Sequence, residues 1–246
     1  MKYLSIIIPT FNDGKIIKKK VFNLIKSLKK INIKYEIIII NDGSIDNTKE
    51  EIYSFSKNYK NLRVLNNEKN FGKSYSIKKG LKISKYDHVI LIDSDLPYFS
   101  KFKLILNLLK KYDLVFINRR HPKSKVKSNS FNLYKLFRYF AGYLISLLLK
   151  LSINLDTEKI DTQAGLKGFK KVKNFKNLKF ISNKFFLDIE LIYLYTKLSK
   201  KIISVPVIYR ISNSSSIKIF NIKKNIEILF ELLKVVINIT FEKKQF

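Results

Sequence analysis

The chain has 246 residues, with 49 Lys or Arg against 19 Asp or Glu, and its formal net charge of +30 attracts polyanions such as nucleic acid or an anionic membrane surface. An AT-rich genome, which enriches Lys, Ile and Asn, explains the same charge equally well. Hydrophobic residues make up 46%, enough for a packed core, while the absence of Cys excludes disulfides and thiolate metal sites and the two His disfavour a His-based metal site or a Ser-His-Asp triad.

Short apolar runs alternate with stretches of helical period through the first half of the chain, which predicts repeated βα units. The runs are rich in Ile, Leu and Val without polar alternation, as in parallel strands covered on both faces. They span residues 4–8, 36–40, 62–65, 88–92 and 114–117. We therefore predict an α/β fold with a mostly parallel twisted sheet flanked by helices, in a single domain over residues 1–246.

Three stretches between these runs are predicted as surface helices. The first places one apolar face against a lysine-rich one, and the apolar face consists of Ile17, Val21, Leu24, Ile25 and Leu28. The second runs through Tyr53 after Asp46 or Asn47, either of which can cap it. The third runs from Gly72 to about Ser84.

Two stretches of the second half, residues 131–153 and 225–241, combine a narrow polar stripe with a very wide apolar face. Such helices either pack inside the protein or lie in a membrane interface, and the interface is favoured for residues 131–153. No run reaches about 18 uncharged apolar residues, so no transmembrane helix is predicted. The N-terminal run ends at Pro9, short of a signal peptide's apolar region, and the basic segment 123–127 is predicted as a solvated turn.

Carboxylates and turn-forming residues follow three of the predicted strands, in the runs 9–13, 41–46 and 93–95. Ligands of open α/β sheets bind beyond the carboxyl ends of the strands, so the three runs should meet at one edge. Asp93 and Asp95, two residues apart at a strand end, can share a hard divalent cation whose open positions take phosphate oxygens. The pattern predicts a Mg²⁺ or Mn²⁺ site that neutralises a diphosphate leaving group.

Four segments match one known family in order and spacing. They are Ser5-Ile-Ile-Ile-Pro-Thr-Phe-Asn-Asp13, Ile39-Ile-Asn-Asp-Gly-Ser-Ile-Asp-Asn-Thr48, Asn70-Phe-Gly-Lys73 and Asp93-Ser-Asp95. They resemble the inverting family-2 glycosyltransferases of the GT-A fold. The resemblance implies that Asp93 lies near the ribose or the metal and that Asp95 binds the metal. It assigns nucleotide recognition to Pro9, Thr10, Asn12, Asp42 and Gly43. Lys73, at a predicted helix start, would join free N–H groups in meeting phosphate.

Further motifs narrow the acceptor. They are Asn118-Arg119-Arg120, Asp161-Thr-Gln-Ala-Gly-Leu-Lys-Gly-Phe169, Phe186-Leu-Asp-Ile-Glu190, Val205-Pro206-Val207 and Ser216-Ile-Lys218. They resemble the dolichyl-phosphate glucosyltransferase branch and its polyprenyl-phosphate relatives. This likeness implies UDP-glucose as the first expected donor and GDP-mannose as the second. It implies that phosphates are gripped by Arg119, Arg138 and Arg210, and that the acceptor side is shaped by Asp161, Gln163 and Lys167.

The resemblance divides the chain into a nucleotide-sugar-binding half (1–120), an acceptor-binding half (121–220) and a C-terminal amphipathic helix (221–246). A polyprenyl phosphate is already an anion at neutral pH, so it can attack the anomeric carbon without a strong base. A sugar hydroxyl would require a base, for which Asp161, Asp188 and Glu190 are candidates. Asp188 and Glu190 are otherwise expected to orient neighbours from a helix. We expect a peripheral or monotopic protein on the cytoplasmic face of an anionic membrane.

Three alternatives stay open. A family-2 enzyme could act on a sugar hydroxyl in polysaccharide or glycolipid synthesis. A basic nucleic-acid-binding module has only the net charge in its favour, and we expect no specific nucleic-acid partner. A catalytically silent sugar-nucleotide binder is disfavoured by the intact Asp93 and Asp95.

Overall fold

The computed structural model describes residues 1–31, 33–127, 161, 164–209 and 222–244, with only the backbone described at residues 222–225 and 242–244. Four predictions lie outside these ranges: the helix at residues 131–153 and the phosphate or acceptor roles of Arg138, Gln163 and Arg210.

A twisted sheet of seven strands forms the centre of the molecule, in the order β3-β2-β1-β4-β7-β5-β8. Its strands are β1 (Tyr3–Thr10), β2 (Lys34–Asn41), β3 (Leu62–Asn66), β4 (His88–Ile92), β5 (Leu114–Asn118), β7 (Leu166–Lys170) and β8 (Ile202–Pro206). All pairs are parallel except those of β7, which runs antiparallel between β4 and β5. The mostly parallel sheet and its first five strands are confirmed, each within two residues of the predicted ends.

Six α-helices are described around the sheet. They are α1 (Ile17–Lys29), α2 (Thr48–Ser56), α3 (Lys73–Ile83), α4 (Phe102–Leu108), α5 (Leu187–Lys197) and α6 (Ile222–Lys244). The predicted apolar face of α1 is the face that it buries. At the start of α2, the Asp46 carboxylate accepts the Thr48 N–H at 3.0 Å, so Asp46 rather than Asn47 provides the side-chain cap.

Alternate residues of each strand enter two separate cores, because successive side chains of a strand point to opposite faces. Ile6 and Ile8 of β1 pack with α1, α2 and α4 on one face of the sheet. Ile7 between them packs with α3, α5 and α6 on the other face. Both faces of the sheet are therefore covered by helices, which is why its strands lack polar alternation.

The C-terminal helix α6 uses only part of its apolar surface for packing. Leu232, Val235 and Ile239 are buried in the second core. Another side of the helix exposes a row of apolar residues, each 41–62% accessible: Ile226, Leu229, Phe230, Leu233, Ile237 and Phe241. Its role at a membrane interface stays a prediction. Among the described helices, none has the length and apolarity needed to cross a bilayer.

The basic segment 123–127 differs from its prediction as a plain turn. Its residues Lys125–Val126 form β6, which pairs in parallel with β9 (Ile208–Tyr209) in a separate two-stranded sheet. The pairing anchors the chain that follows β5 to the chain that follows β8.

Candidate active site

The carboxyl ends of β1, β2 and β4 meet at one rim, as the sequence predicts. The Asn12 N–H donates to Ser44 Oγ at 2.9 Å, and Asn12 Oδ1 accepts the Ile45 N–H at 3.0 Å. Asn12 adopts a left-handed backbone with φ of 56°, a conformation that Asn tolerates better than most residues. These bonds join the first two strand ends, and Pro9 and Thr10 lie buried in β1 beneath them.

Asp13 joins the first strand end to the Asp-x-Asp segment. Its Oδ2 accepts hydrogen bonds from Thr10 Oγ at 2.8 Å, from the Phe11 N–H at 3.2 Å and from Ser94 Oγ at 2.5 Å. Ser94 is the residue between Asp93 and Asp95. Asp13 therefore fixes the turn that presents the two aspartates, a role that the sequence motif did not reveal.

Asp42 is a buried hub for hydrogen bonds, with only 3% of its surface accessible. Its carboxylate accepts from Asn67 Nδ2 at 2.7 Å, from Ser76 Oγ at 2.9 Å and from the N–H groups of Phe71 and Gly72 at 3.1 and 2.9 Å. The observed role of Asp42 is thus to hold the start of α3, and its contact with a nucleotide base stays a prediction.

Gly43 next to this hub has a positive φ of 69° and packs against backbone. A Cβ at this position would lie 2.3 Å from the carbonyl carbon of Lys69, so only glycine fits. The turn after β2 therefore depends on Gly43 for its shape, whether or not it also approaches a nucleotide.

Asp93 and Asp95 follow β4 and stand at the centre of the rim. Asp93 packs tightly against β7, where a Cβ on Gly165 would lie 2.3 Å from Asp93 Oδ2, and the Asp93 N–H donates to the Gly165 carbonyl at 3.0 Å. The pKa of Asp95 is raised above its ordinary value, chiefly by desolvation at the rim and secondly by the negative charges of Asp93 and Asp13. A cation placed between these carboxylates would relieve that repulsion.

The two aspartates fit a hard divalent cation. Carboxylate oxygens are the ligands that Mg²⁺ and Mn²⁺ prefer, and the repulsion at Asp95 favours added positive charge. Over the ranges that the structure describes, no group of three or more His, Cys, Asp or Glu could hold a metal ion alone. A cation held by Asp93 and Asp95 would therefore complete its coordination with water and with phosphate oxygens of a ligand.

Lys73 lies at the first turn of α3, and its ammonium is 2.6 Å from Asp93 Oδ1. Burial lowers the pKa of Lys73, but the charges of Asp93 and Asp188 outweigh that effect and raise it overall. The prediction that the N–H groups beside this lysine are free is wrong for Ser74 and Tyr75. Their N–H groups donate to the carbonyls of residues 184 and 183 at 3.0 and 2.8 Å. The side chain of Lys73 is the group left to meet an anion.

A second ion pair lies deeper, between Lys167 Nζ on β7 and Asp188 Oδ2 at the start of α5, 2.5 Å apart. Both side chains are buried, with 8% and 5% accessible. Burial lowers the pKa of Lys167, and the charge of Asp188 opposes that shift. Lys167 lies buried beneath the rim, and its predicted role in shaping the acceptor side stays a prediction. Asp188 orients its neighbour from a helix, as expected.

Arg119, which follows β5, forms a bidentate ion pair with Asp161. Its Nε and one terminal nitrogen both donate to the carboxylate, the latter at 2.8 Å, and its backbone N–H donates at 3.2 Å. Burial of Tyr98, which also bonds Arg119, raises the pKa of that phenol. The guanidinium is therefore held in place by a buried carboxylate, and its grip on phosphate stays a prediction.

Glu190 on α5 is also engaged by the protein. Its oxygens accept the N–H groups of Ile181 and Ser182 at 2.7 and 3.0 Å, and burial raises its pKa. The same loop is held from its other side by Glu231 of α6. Glu231 accepts three successive N–H groups, from residues 183, 184 and 185, at 2.6, 2.6 and 3.0 Å. We call residues 181–186, held between these two glutamates, the bridging loop.

The sequence predicted which strand ends meet at the rim, but it did not reveal the residues that support the side chains there. Asn67 and Ser76, which hold Asp42, lie outside every motif, and only their burial as polar side chains marks them. Gly165 was part of a quoted motif, but its close approach to Asp93 could not be read from spacing. Its signal would have been a glycine within a strand-like run.

The fold and the rim define the class: an α/β enzyme of the GT-A type, with carboxylates at the carboxyl ends of parallel strands. Glucosyl-3-phosphoglycerate synthase from Mycobacterium tuberculosis, solved with Mn²⁺, UDP-glucose and phosphoglyceric acid, has this fold. It matches with a TM-score of 0.64 at 17% identity, over 96% of this chain and 80% of that one. The chain belongs to glycosyl transferase family 2, whose sequence model matches residues 5–164.

Two sequence relatives extend the likeness beyond residue 164 to nearly the whole chain. The chain is 28% identical to dolichyl-phosphate beta-glucosyltransferase ALG5A of Trichomonas vaginalis, over 96% of this chain and 73% of that protein. It is 27% identical to an uncharacterized protein of Methanocaldococcus jannaschii, over 94% of this chain and 97% of that protein. The chain spans only 46% and 42% of the length of two bacterial relatives, which come from Synechocystis and Bacillus subtilis.

Proposed function

We propose that the chain transfers a glucosyl group from UDP-glucose to a polyprenyl phosphate, with inversion, to give a lipid-linked glycosyl phosphate. The family membership supports glycosyl transfer. The name of the Trichomonas vaginalis relative supports a lipid-phosphate acceptor and glucose as the sugar.

We choose a phosphate rather than a hydroxyl as the acceptor because the three carboxylates that could act as a general base already have partners in the protein. A sugar hydroxyl needs a general base, for which Asp161, Asp188 and Glu190 are the candidates from sequence. Asp161 is paired with Arg119, Asp188 is paired with Lys167, and Glu190 accepts two backbone N–H groups. Each of the three candidate bases is thus already engaged by another group of the protein. An acceptor phosphate brings its own negative charge and requires no base.

In this reaction the chain's residues would bind the metal, orient the acceptor phosphate and neutralise the diphosphate. Asp93 and Asp95 would hold Mg²⁺ or Mn²⁺, which when bound supplies charge neutralisation to the departing diphosphate. Lys73 stands beside Asp93 as a further cation for the donor. Arg119, fixed by Asp161, is preorganised to receive the acceptor phosphate, because a held guanidinium loses little entropy on binding. In-line attack by the phosphate inverts the anomeric carbon.

The exposed apolar row of α6 supports a membrane-held acceptor. A polyprenyl tail stays in the bilayer, so the enzyme must reach its surface. Six large apolar side chains on one helix face, together with a net charge of +30, suit an anionic interface. We therefore place the protein at the cytoplasmic membrane surface, as a peripheral or monotopic enzyme.

Product analysis tests the proposal. The protein is incubated with labelled UDP-glucose or GDP-mannose and with vesicles that contain a polyprenyl phosphate, with and without EDTA. We expect a lipid-soluble product from UDP-glucose that EDTA prevents and that mild acid hydrolyses. An acid-stable product would favour transfer to a sugar hydroxyl. Nucleic-acid binding that survives about 0.2 M salt, with no sugar transfer, would favour a nucleic-acid-binding module.

A further inference from the structure

The ion pair between Lys73 and Asp93 occupies one of the two carboxylates that would hold a cation. Lys73 Nζ lies 2.6 Å from Asp93 Oδ1, within hydrogen-bonding distance. The two side chains are 27% and 33% accessible, so water and ligands can reach the pair. The chain thus supplies a monovalent counter-ion of its own to Asp93.

The backbone under Lys73 is fixed, whereas its side chain is not. The Ser74 and Tyr75 N–H groups bond to carbonyls of the bridging loop, and the Gly72 N–H bonds to Asp42. Only the four-carbon side chain of Lys73 can change its partner. Two further carboxylates act on Lys73 by their charge: Asp188, which Lys167 already neutralises at 2.5 Å, and Asp95, whose effect is the weakest of the three. Asp93 is therefore the main competitor for the ammonium.

We propose that Lys73 is an exchangeable counter-ion, which pairs with Asp93 in the donor-free protein and moves to the donor's diphosphate when the nucleotide-sugar binds. The inference rests on the proposed function in that it requires a nucleoside-diphosphate donor and a divalent cation. Its consequence is ordered binding, since Asp93 becomes available to the cation only when Lys73 has another anion to contact.

Charge favours this exchange over either pairing alone. A diphosphate carries more negative charge than one carboxylate and offers several oxygens to an ammonium. A hard divalent cation gains more from the carboxylate than the ammonium does. Because binding linkage is reciprocal, the donor should strengthen cation binding by the same factor as the cation strengthens donor binding. Lys73 contributes to that factor by releasing Asp93.

Mn²⁺ titrations of the full chain, followed by electron paramagnetic resonance, test the exchange with and without saturating UDP. Lys73→Gln removes the counter-ion. Lys82→Gln, on an exposed position of the same helix, makes the same charge change as a matched control. Without UDP, we expect Lys73→Gln to bind Mn²⁺ roughly fivefold to tenfold more tightly than the wild type. With UDP, the difference should shrink to about twofold or less. Lys82→Gln should match the wild type in both states.

Two results would overturn the exchange. An advantage of Lys73→Gln that persists with UDP would mean that Lys73 stays on Asp93, and equal affinities without UDP would mean that it does not compete there. Lys73→Met repeats the test without an amide that could itself bind Asp93. If the wild type binds no Mn²⁺ even with UDP, the proposed donor and metal site fail, and the exchange fails with them.

Discussion

Removing one partner of the buried Lys167–Asp188 pair should destabilise the protein far more than removing both. Asp188→Asn removes the carboxylate that lies 2.5 Å from the Lys167 ammonium, at a site where 8% of the lysine side chain is accessible. An uncompensated buried charge costs about 3–5 kcal/mol. In a chain of this length, 1 kcal/mol shifts the midpoint of thermal unfolding by about 2–4 °C, so the melting temperature should fall by roughly 6–20 °C.

The double variant Lys167→Met/Asp188→Leu separates charge from packing. Apolar side chains of similar volume often replace a buried ion pair at little cost, so we expect the double variant within about 1 kcal/mol of the wild type. Lys184→Met, which breaks the exposed pair of Lys184 with Glu227 at 4.0 Å, is the control and should cost less than about 1 kcal/mol.

Thermal and urea unfolding followed by circular dichroism measure these differences. The reasoning predicts a single variant that is much less stable than both the wild type and the double variant. A double variant as unstable as Asp188→Asn would show that the pair itself, rather than the unpaired charge, stabilises the fold. A single variant within 1 kcal/mol of the wild type would show that water reaches Lys167.

Three further predictions concern the rim and the helix surface. Asp95→Asn should abolish glycosyl transfer. It should also become more stable relative to the wild type as pH rises through the raised pKa of Asp95, because the rim disfavours the ionised form of that carboxyl in the folded wild type. Melting curves at several pH values measure this difference. Gly165→Ala should reduce kcat about 100-fold, since its Cβ would displace the Asp93 carboxylate, which we propose binds the metal. Gly168→Ala, whose Cβ would meet only core side chains, should lower stability and spare kcat. Phe230→Ser should weaken sedimentation with anionic vesicles at an unchanged melting temperature. Phe22→Ser changes an equally apolar, exposed residue on α1 and should not weaken it. Equal loss in both variants would refute a specific membrane-binding face on α6.

The strands and the rim could be predicted because they depend on local pattern. The Ile-rich run 4–8, which lacks polar alternation, is typical of a parallel strand covered on both faces. The residues that follow parallel strands lie at the same edge of the sheet. β7 was not predicted as a strand. It is antiparallel, it contains Lys167 and Gly168, and its place between β4 and β5 depends on pairing across a long sequence separation.

The partners of the charged side chains could not be predicted. A motif shows that Asp42 and Lys73 lie near the rim, but hydrogen-bond partners such as Asn67 come from tertiary packing. Likewise, the width of the apolar face on α6 predicted burial or exposure as alternatives, and the helix combines both on different sides. Sequence gives the periodicity of such a face, whereas the neighbouring elements decide how much of it is covered.

The contact of Glu231 with the bridging loop links two regions that are far apart in sequence. Glu231 receives three N–H groups from the loop, and carbonyls of the same loop receive the first-turn N–H groups of α3. A chain shortened before residue 231 would keep every strand of the central sheet. It would nonetheless leave the loop without its anchor, and the helix start that carries the donor-side lysine would lose its rigid support. The donor contact proposed for Lys73 would therefore depend on the C-terminal helix as well.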